Sequence, residues 1–139
     1  GSLDRKLIRE HAEDLIKQYQ IKASPNDPIR TLSGGNMQKV ILARALSKKP
    51  RVVIAAQPTR GLDIGATEYV RNRLLEERDR GAAVVLISED LDEIMTLSDR
   101  IAVMYEGEIV AIIPSKQATP KRLGLLMGGG KEEVSQVAK

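Results

Sequence analysis

Two short apolar runs limit most strongly how this chain can fold. Residues 51–56 (Arg-Val-Val-Ile-Ala-Ala) and 82–87 (Ala-Ala-Val-Val-Leu-Ile) are rich in β-branched side chains and show no polar alternation. Each is too short for a helix, and the missing alternation predicts strands buried on both faces, the habit of parallel sheets. Between them, residues 65–80 place Tyr69, Val70, Leu74 and Leu75 among many charges and stop at Gly81, which predicts a helix. Strand, helix, strand in this order predicts an α/β fold with a mostly parallel sheet and flanking helices.

The flanking sequence extends that pattern. Over residues 3–19, Leu7, Ile8, Ala12, Leu15, Ile16 and Tyr19 recur at helical spacing, which predicts an amphipathic helix. The only histidine, His11, sits among its polar residues and has no partner that would make it a ligand or a base. Residues 23–28 (Ala-Ser-Pro-Asn-Asp-Pro) predict a loop, and residues 35–48 a helix with Met37, Val40, Ile41 and Ala45 on one side. Asp90 and Glu93 predict a capping box opening a short helix over residues 91–97. Arg100–Tyr105 and residues 108–113 predict a hairpin turning at Glu106-Gly107, and residues 121–127 a last helix. Gly128, Gly129, Gly130 and the polar tail after them read as frayed.

Composition narrows the function classes. Apolar residues make up 42% of the 139, enough for a core, while aromatics are only 2%. Three tyrosines offer no platform for stacking bases, and a net charge of +3 without a dense basic block argues against a nucleic-acid partner. With no cysteine there is neither a disulfide framework nor a Cys-containing zinc site. The four carboxylates Glu89, Asp90, Asp92 and Glu93 suit a helix N-terminus better than a metal.

The stretch with a chemical signature is Leu32-Ser33-Gly34-Gly35-Asn36-Met37-Gln38. A hydroxyl at the cap, two glycines and then a helical run leave the N–H groups and positive dipole end of a helix with little side chain over them. Such an end suits an anion such as a phosphate.

The order LSGGNMQ, ARAL, a buried strand, PTRGLD and a second buried strand ending in SED resembles the C-terminal half of an ABC-type ATPase domain, over roughly residues 30–113. The family's signature corresponds to residues 32–36 with Gln38 following, its Walker B strand to Val52–Ala56, its D-loop to Gly61-Leu62-Asp63, and its switch strand to residues 84–88. Within the family, AAQPTRGLDIGA and SEDLDEIMTLSDRIAVMYEGEIV look like the second ATPase half of two-domain subunits serving simple-sugar and nucleoside importers. The resemblance implies a partial P-loop NTPase core with its phosphate-loop half missing. It assigns residues 1–48 to part of a helical subdomain with the signature helix, 49–113 to the ATPase core, and 114–139 to a C-terminal helix and tail. It further implies that Ser33, Gly34, Gly35, Asn36, Gln38 and Asp63 face a nucleotide.

Three positions depart from the family pattern. Ala56 stands where an aspartate holds Mg²⁺ through water, Gln57 where a glutamate acts on the attacking water, and Glu89 where a histidine senses the γ-phosphate. An alanine coordinates nothing, a glutamine is no general base, and a carboxylate repels the phosphate. No G-x-x-x-x-G-K-[S/T] loop occurs either. The resemblance therefore implies that no catalytic residue of this half is intact, that no metal is held, and that the chain does not hydrolyse ATP by itself.

ATP and Mg²⁺ are then expected in the full assembly, bound mainly by a partner domain, and not in the isolated chain. The implied partners are the N-terminal ATPase domain of the same subunit and transmembrane permease subunits, in the cytoplasm at the inner face of the membrane. In the family sheet the phosphate-loop strand lies between the switch strand and Arg100–Tyr105. The isolated chain is therefore expected to pair those edges with another copy, or to close the gap by shifting residues 100–113. Two other readings share some of these features: a chromosome- or repair-type ABC ATPase head, which the transporter-like hairpin opposes, and a structural or regulatory domain indifferent to nucleotide.

Overall fold

The computed structural model describes residues 4–131. It divides into two compact units, one ending at Val85 and the other beginning at Leu86.

In the first unit the Asp4 carboxylate caps helix α1 (Arg5–Gln18), accepting from the Lys6 and Leu7 N–H groups at 3.0 and 3.2 Å. Only the end of the expected apolar stripe packs: Leu7 and Ile8 are exposed, Leu15 and Ile16 half-buried, and Tyr19 fully buried. After a reversal at Gln20 (φ 52°) and the loop over residues 23–28, a 3₁₀ turn at Ile29–Thr31 leads into helix α2 (Gly34–Leu46). Its buried residues are Leu42, Ala43 and Leu46, whereas Ile41 is 52% exposed and Ala45 is exposed. The buried face of α2 thus lies roughly half a turn from the one its apolar pattern predicts. Gly35 and Gln38 face inward, and the helical period carries Leu42 and Leu46 with them.

Strand β1 (Val52–Ala56), helix α3 (Ile64–Asp79) and strand β2 (Ala83–Ile87) follow as expected, and β1 and β2 form a small parallel sheet. The Ala83 N–H opens the ladder by donating to the Arg51 carbonyl at 2.8 Å. Burial on both faces is not observed. Val53 is buried, but Val52 and Ile54 are 58% and 70% exposed, and Val85 and Ile87 about half exposed. No element among the described residues covers the second face, so non-alternating sequence here gives alternating burial. At the C-terminal end of α3, buried Glu77 is bridged by Arg80, whose guanidinium also donates to the Pro50 carbonyl at 2.8 Å.

In the second unit Asp90 caps helix α4 (Leu91–Leu97), its carboxylate accepting from the Glu93 N–H at 3.2 Å. Strands β3 (Arg100–Tyr105) and β4 (Glu108–Pro114) pair antiparallel through the Glu106-Gly107 turn, with a register shift between Val103 and Met104. Both turn residues have positive φ (48° and 80°), the two-residue turn whose twist suits a hairpin. Ile101, Val103 and Ile113 of the hairpin form a core with Leu123 and Leu126 of helix α5 (Pro120–Met127).

One of the two alternatives expected for the sheet gap is not observed: the hydrogen-bonded ladders are two separate two-stranded sheets, with β2 and β3 not joined. Nor are the glycines after α5 frayed: the N–H groups of Gly128, Gly129 and Gly130 donate to the carbonyls of Gly124, Leu126 and Leu125 at 2.8–3.1 Å. A Cβ on Gly129 would lie 2.6 Å from the Tyr105 ring, so this segment is glycine because it packs on the hairpin. The tail beyond Lys131 lies outside the described residues. No described helix is long and apolar enough to cross a membrane.

Tyr69 of α3 has a buried hydroxyl with no hydrogen-bond partner among the described residues. Burial pushes its phenol above the ordinary value of 10.0, with the Arg73 guanidinium pulling the other way. Below pH 10 the phenol is neutral in both the folded and unfolded states. As pH rises past 10 the unfolded chain loses this proton first, so the group favours unfolding until the folded pKa is passed. Denaturant melts of Tyr69→Phe are expected to show stability within about 1 kcal/mol of the parent at neutral pH. Above pH 10 the variant should lose less stability than the parent; equal loss in both would refute this.

Candidate functional site

The site begins with a loop locked before the helix starts. Thr31 Oγ1 donates to the Pro28 carbonyl at 2.7 Å, and the chain then runs extended through Leu32 and Ser33. Ser33 is the N-cap of α2, as its sequence predicts. Its Oγ accepts from the Asn36 N–H at 3.3 Å and from Asn36 Nδ2 at 3.1 Å, while its carbonyl accepts from the Met37 N–H. Three side chains in the next turns fasten the helix to its surroundings. Asn36 Oδ1 accepts from the Lys22 N–H at 3.0 Å, Gln38 Nε2 donates to the Pro58 carbonyl at 2.7 Å, and Lys39 Nζ donates to the Gln20 carbonyl at 3.1 Å.

The two glycines divide the work. A Cβ on Gly34 would meet only Leu62 Cδ2 at 3.9 Å, so there is room for a side chain and its absence leaves the helix end bare. A Cβ on Gly35 would stand 2.9 Å from the Cβ of Ala66, closer than real side chains approach. Gly35 is therefore required for α2 to pack on α3, which differs from the expected role of opening the backbone to an anion. Asp63 likewise has a structural task. As N-cap of α3 its Oδ1 accepts from the Ala66 N–H at 2.8 Å.

Ala56 ends β1 and presents only a methyl group. Gln57 follows in a left-handed conformation (φ 48°), its carbonyl accepting from the Arg60 N–H at 3.3 Å to close the turn before Gly61. Buried Pro58 sits in this turn, so the Gln38 bond ties α2 to the segment leaving β1. Ser33, Gly34, Gly35, Asn36, Gln38, Ala56, Gln57 and Asp63 all belong to the first unit. Glu89 belongs to the second, where it is exposed ahead of α4. The acidic cluster there is a helix start, with Ser88 Oγ accepting from the Asp90 N–H at 3.1 Å and Glu93 buried. Among the described residues no group of His, Cys, Asp or Glu is placed to hold a metal.

Sequence reading missed a layer beneath the site. Lys39 Nζ lies 4.6 Å from the centre of the Tyr69 ring, and the Arg73 guanidinium 4.4 Å from that of buried Tyr19. These cation–π contacts brace α2 and the end of α1 against α3. The spacing of Tyr69 and Arg73, four apart on one helix face, was a usable signal; their distant partners were not.

The ABC transporter family model matches residues 4–60. The chain is 47% identical over 135 residues to the guanosine import ATP-binding protein NupO of Bacillus subtilis, covering 96% of this chain and 26% of that protein. It is 48% identical over 132 residues to the glucose import ATP-binding protein TsgD13 of Haloferax volcanii, covering 93% and 24%. Among solved structures it is similar to the dimeric post-hydrolysis state of the ATP-binding cassette MJ0796 bound to ADP and Pi, with a TM-score of 0.69 and 27% identity over 83% of this chain and 50% of that one. The chain belongs to the ABC transporter ATP-binding family. Its fold is part of the family's P-loop NTPase cassette. This ABC chain spans about a quarter of the length of the curated relatives it matches.

The close approach at Gly35 can be tested within the ABC chain. Gly35→Ala improves helix propensity by up to about 1 kcal/mol, but the overpacking against Ala66 is expected to outweigh it and destabilise the fold by about 1–2 kcal/mol. Ala66→Gly in the same background should recover most of that loss in chemical denaturation. A Gly35→Ala variant as stable as the parent would refute the packing role.

Proposed function

We propose that this chain is the latter part of the second, degenerate ATPase domain of an importer's ATP-binding subunit, and that its signature end completes an ATP site built by a partner domain. Residues 1–48 then contribute part of the helical subdomain, 49–113 the ATPase core, and 114–139 the C-terminal helix and tail. The observation that carries this reading is the contrast within one unit. Ser33 and Gly34 present a bare, anchored helix start, while β1 ends in Ala56-Gln57 with no carboxylate.

The residues fit the phosphate end of ATP. The hydroxyl of Ser33 has its proton to give, Gly34 carries no side chain, and the N–H groups of Gly34 and Gly35 have no partner within the helix. They do not fit Mg²⁺ at this domain's own site, since the Ala56 methyl offers no oxygen. When bound, MgATP supplies the phosphoryl group whose transfer to water drives transport. The contribution of this chain is to orient and neutralise the terminal phosphate from across the seam. Asp63, already engaged in its cap, keeps the adjoining turn in place.

Import from the sugar and nucleoside class is supported by the relatives' names, which specify guanosine and glucose. On this reading the partners are the N-terminal ATPase domain of the same subunit and the permease subunits, at the inner face of the membrane. The exposed apolar side chains of Val52, Ile54 and Val85 support completion of the sheet by another part of the subunit. In the isolated chain a second copy would take that place through the open strand edges.

Steady-state hydrolysis by the complete subunit tests the proposal. Ser33→Arg is expected to lower kcat by about 10²–10³, the effect of losing one positioned donor to a developing charge. Gln57→Ala should leave the rate within about twofold, because a glutamine there supplies no base. The reverse pattern would show that this domain hydrolyses ATP at its own site.

A further inference from the structure

We propose that Asn36 is a positioning residue, which turns the Ser33 hydroxyl into an obligate donor, and not a residue that touches nucleotide. The inference rests on the proposed function and reassigns a residue that the family resemblance places against the ligand.

A hydroxyl oxygen has two acceptor sites and one proton. Here Ser33 Oγ accepts from two donors on the same residue, the Asn36 N–H at 3.3 Å and Asn36 Nδ2 at 3.1 Å. Both acceptor sites are therefore filled, and the O–H proton is the one valence left to give. A hydroxyl in that state cannot face another donor with profit, but it can donate to an oxyanion.

The orientation of the Asn36 amide follows from its other end. Its Oδ1 lies 3.0 Å from the Lys22 backbone nitrogen. A backbone N–H can only donate, so the oxygen must face Lys22 and the NH₂ must face Ser33. The segment just after α1 thus sets which way the amide points, and the amide sets what Ser33 can do. With both ends engaged, Asn36 is held within the protein and is not presented to a ligand. Asn36 is only half-buried, so the arrangement is maintained by these bonds and not by enclosure.

Asn36→Asp separates this role from a merely structural one. The carboxylate is nearly isosteric and still accepts from the Lys22 N–H, and negative charge in the first turn of a helix favours folding. It has no proton to give. It accepts one instead, so the Ser33 O–H turns inward and is no longer available to a phosphate. The melting temperature is then expected to hold or rise while the affinity for nucleotide falls.

The test uses the complete ATP-binding subunit with Mg²⁺ and ATPγS as the probe. Affinity is read by equilibrium binding and folding by thermal melts, for Ser33→Ala, Asn36→Asp and the double variant. Each single variant is expected to weaken ATPγS binding about tenfold, the loss of a hydrogen bond to a charged group. The double variant should be no weaker than Ser33→Ala alone, because Asn36 acts through Ser33. In the 139-residue chain, Ser33→Ala should also shift the side-chain amide resonances of Asn36.

The inference is overturned if Asn36→Asp binds normally while Ser33→Ala does not. It is equally overturned if Asn36→Asp weakens binding a further tenfold in the Ser33→Ala background, which would mark direct repulsion of the phosphate. A melting temperature that falls in step with affinity would reduce Asn36 to a structural role and overturn it too. If Ser33→Ala itself binds normally, the functional reading fails, and this inference fails with it.

Discussion

The close contact between α2 and α3 at Gly35 and Ala66 is the constraint on which the rest of the first unit depends. A methyl group at Gly35 would stand 2.9 Å from the Ala66 Cβ, so the two helices meet at a point where no side chain fits. That proximity brings Gln38 within reach of the Pro58 carbonyl and lets Lys39 lie over Tyr69. It also brings Leu62 beside Gly34, so the turn after β1 flanks the start of α2. The helix end that Ser33 caps is held by these contacts and not by its own capping bond, which alone contributes about 1 kcal/mol.

A consequence is that most residues at the start of α2 and in its neighbouring turn serve the architecture first. Gly35 allows packing, Asn36 and Gln38 tie down two segments, and Asp63 caps α3. What remains free to meet a ligand is small: the Ser33 proton, the open face of Gly34 and the N–H groups of Gly34 and Gly35. A helix end can be electrostatically suited to phosphate and still be useless if it moves, and here its position is fixed at several points. The residues after β1 show the opposite state. The left-handed turn at Gln57 is closed as backbone, but neither Ala56 nor Gln57 brings a carboxylate to it.

Element order is readable from local pattern, because caps, turn residues and apolar runs act over a few positions. Ser33, Asp90 and the Glu106-Gly107 turn behave as their chemistry predicts. Burial is less readable. The runs at β1 and β2 look like strands covered on both sides, yet Ile54 stands 70% exposed because cover depends on a second layer that local sequence does not describe. The face of α2 escapes local pattern for a related reason: apolar character favours Ile41, but the glycine contact and the Gln38 bond decide which way the helix turns. Gly128–Gly130 reads as a loose end because glycine runs usually are, whereas here small size is what lets the segment pack on Tyr105. For the candidate site, residue identity points to Ser33, Gly34, Gly35, Asn36, Gln38 and Asp63 alike and gives no warning that Asn36, Gln38 and Asp63 are already engaged.

The central claim is that the anchored helix end is used by a nucleotide held elsewhere. The most direct measurement is sedimentation equilibrium of this chain mixed with an ATPase domain that carries the phosphate loop, with and without Mg²⁺ and ATP. The account predicts association that depends on nucleotide and is lost when Ser33 is replaced by arginine. Association of equal strength with and without ATP, or none in either condition, would contradict it.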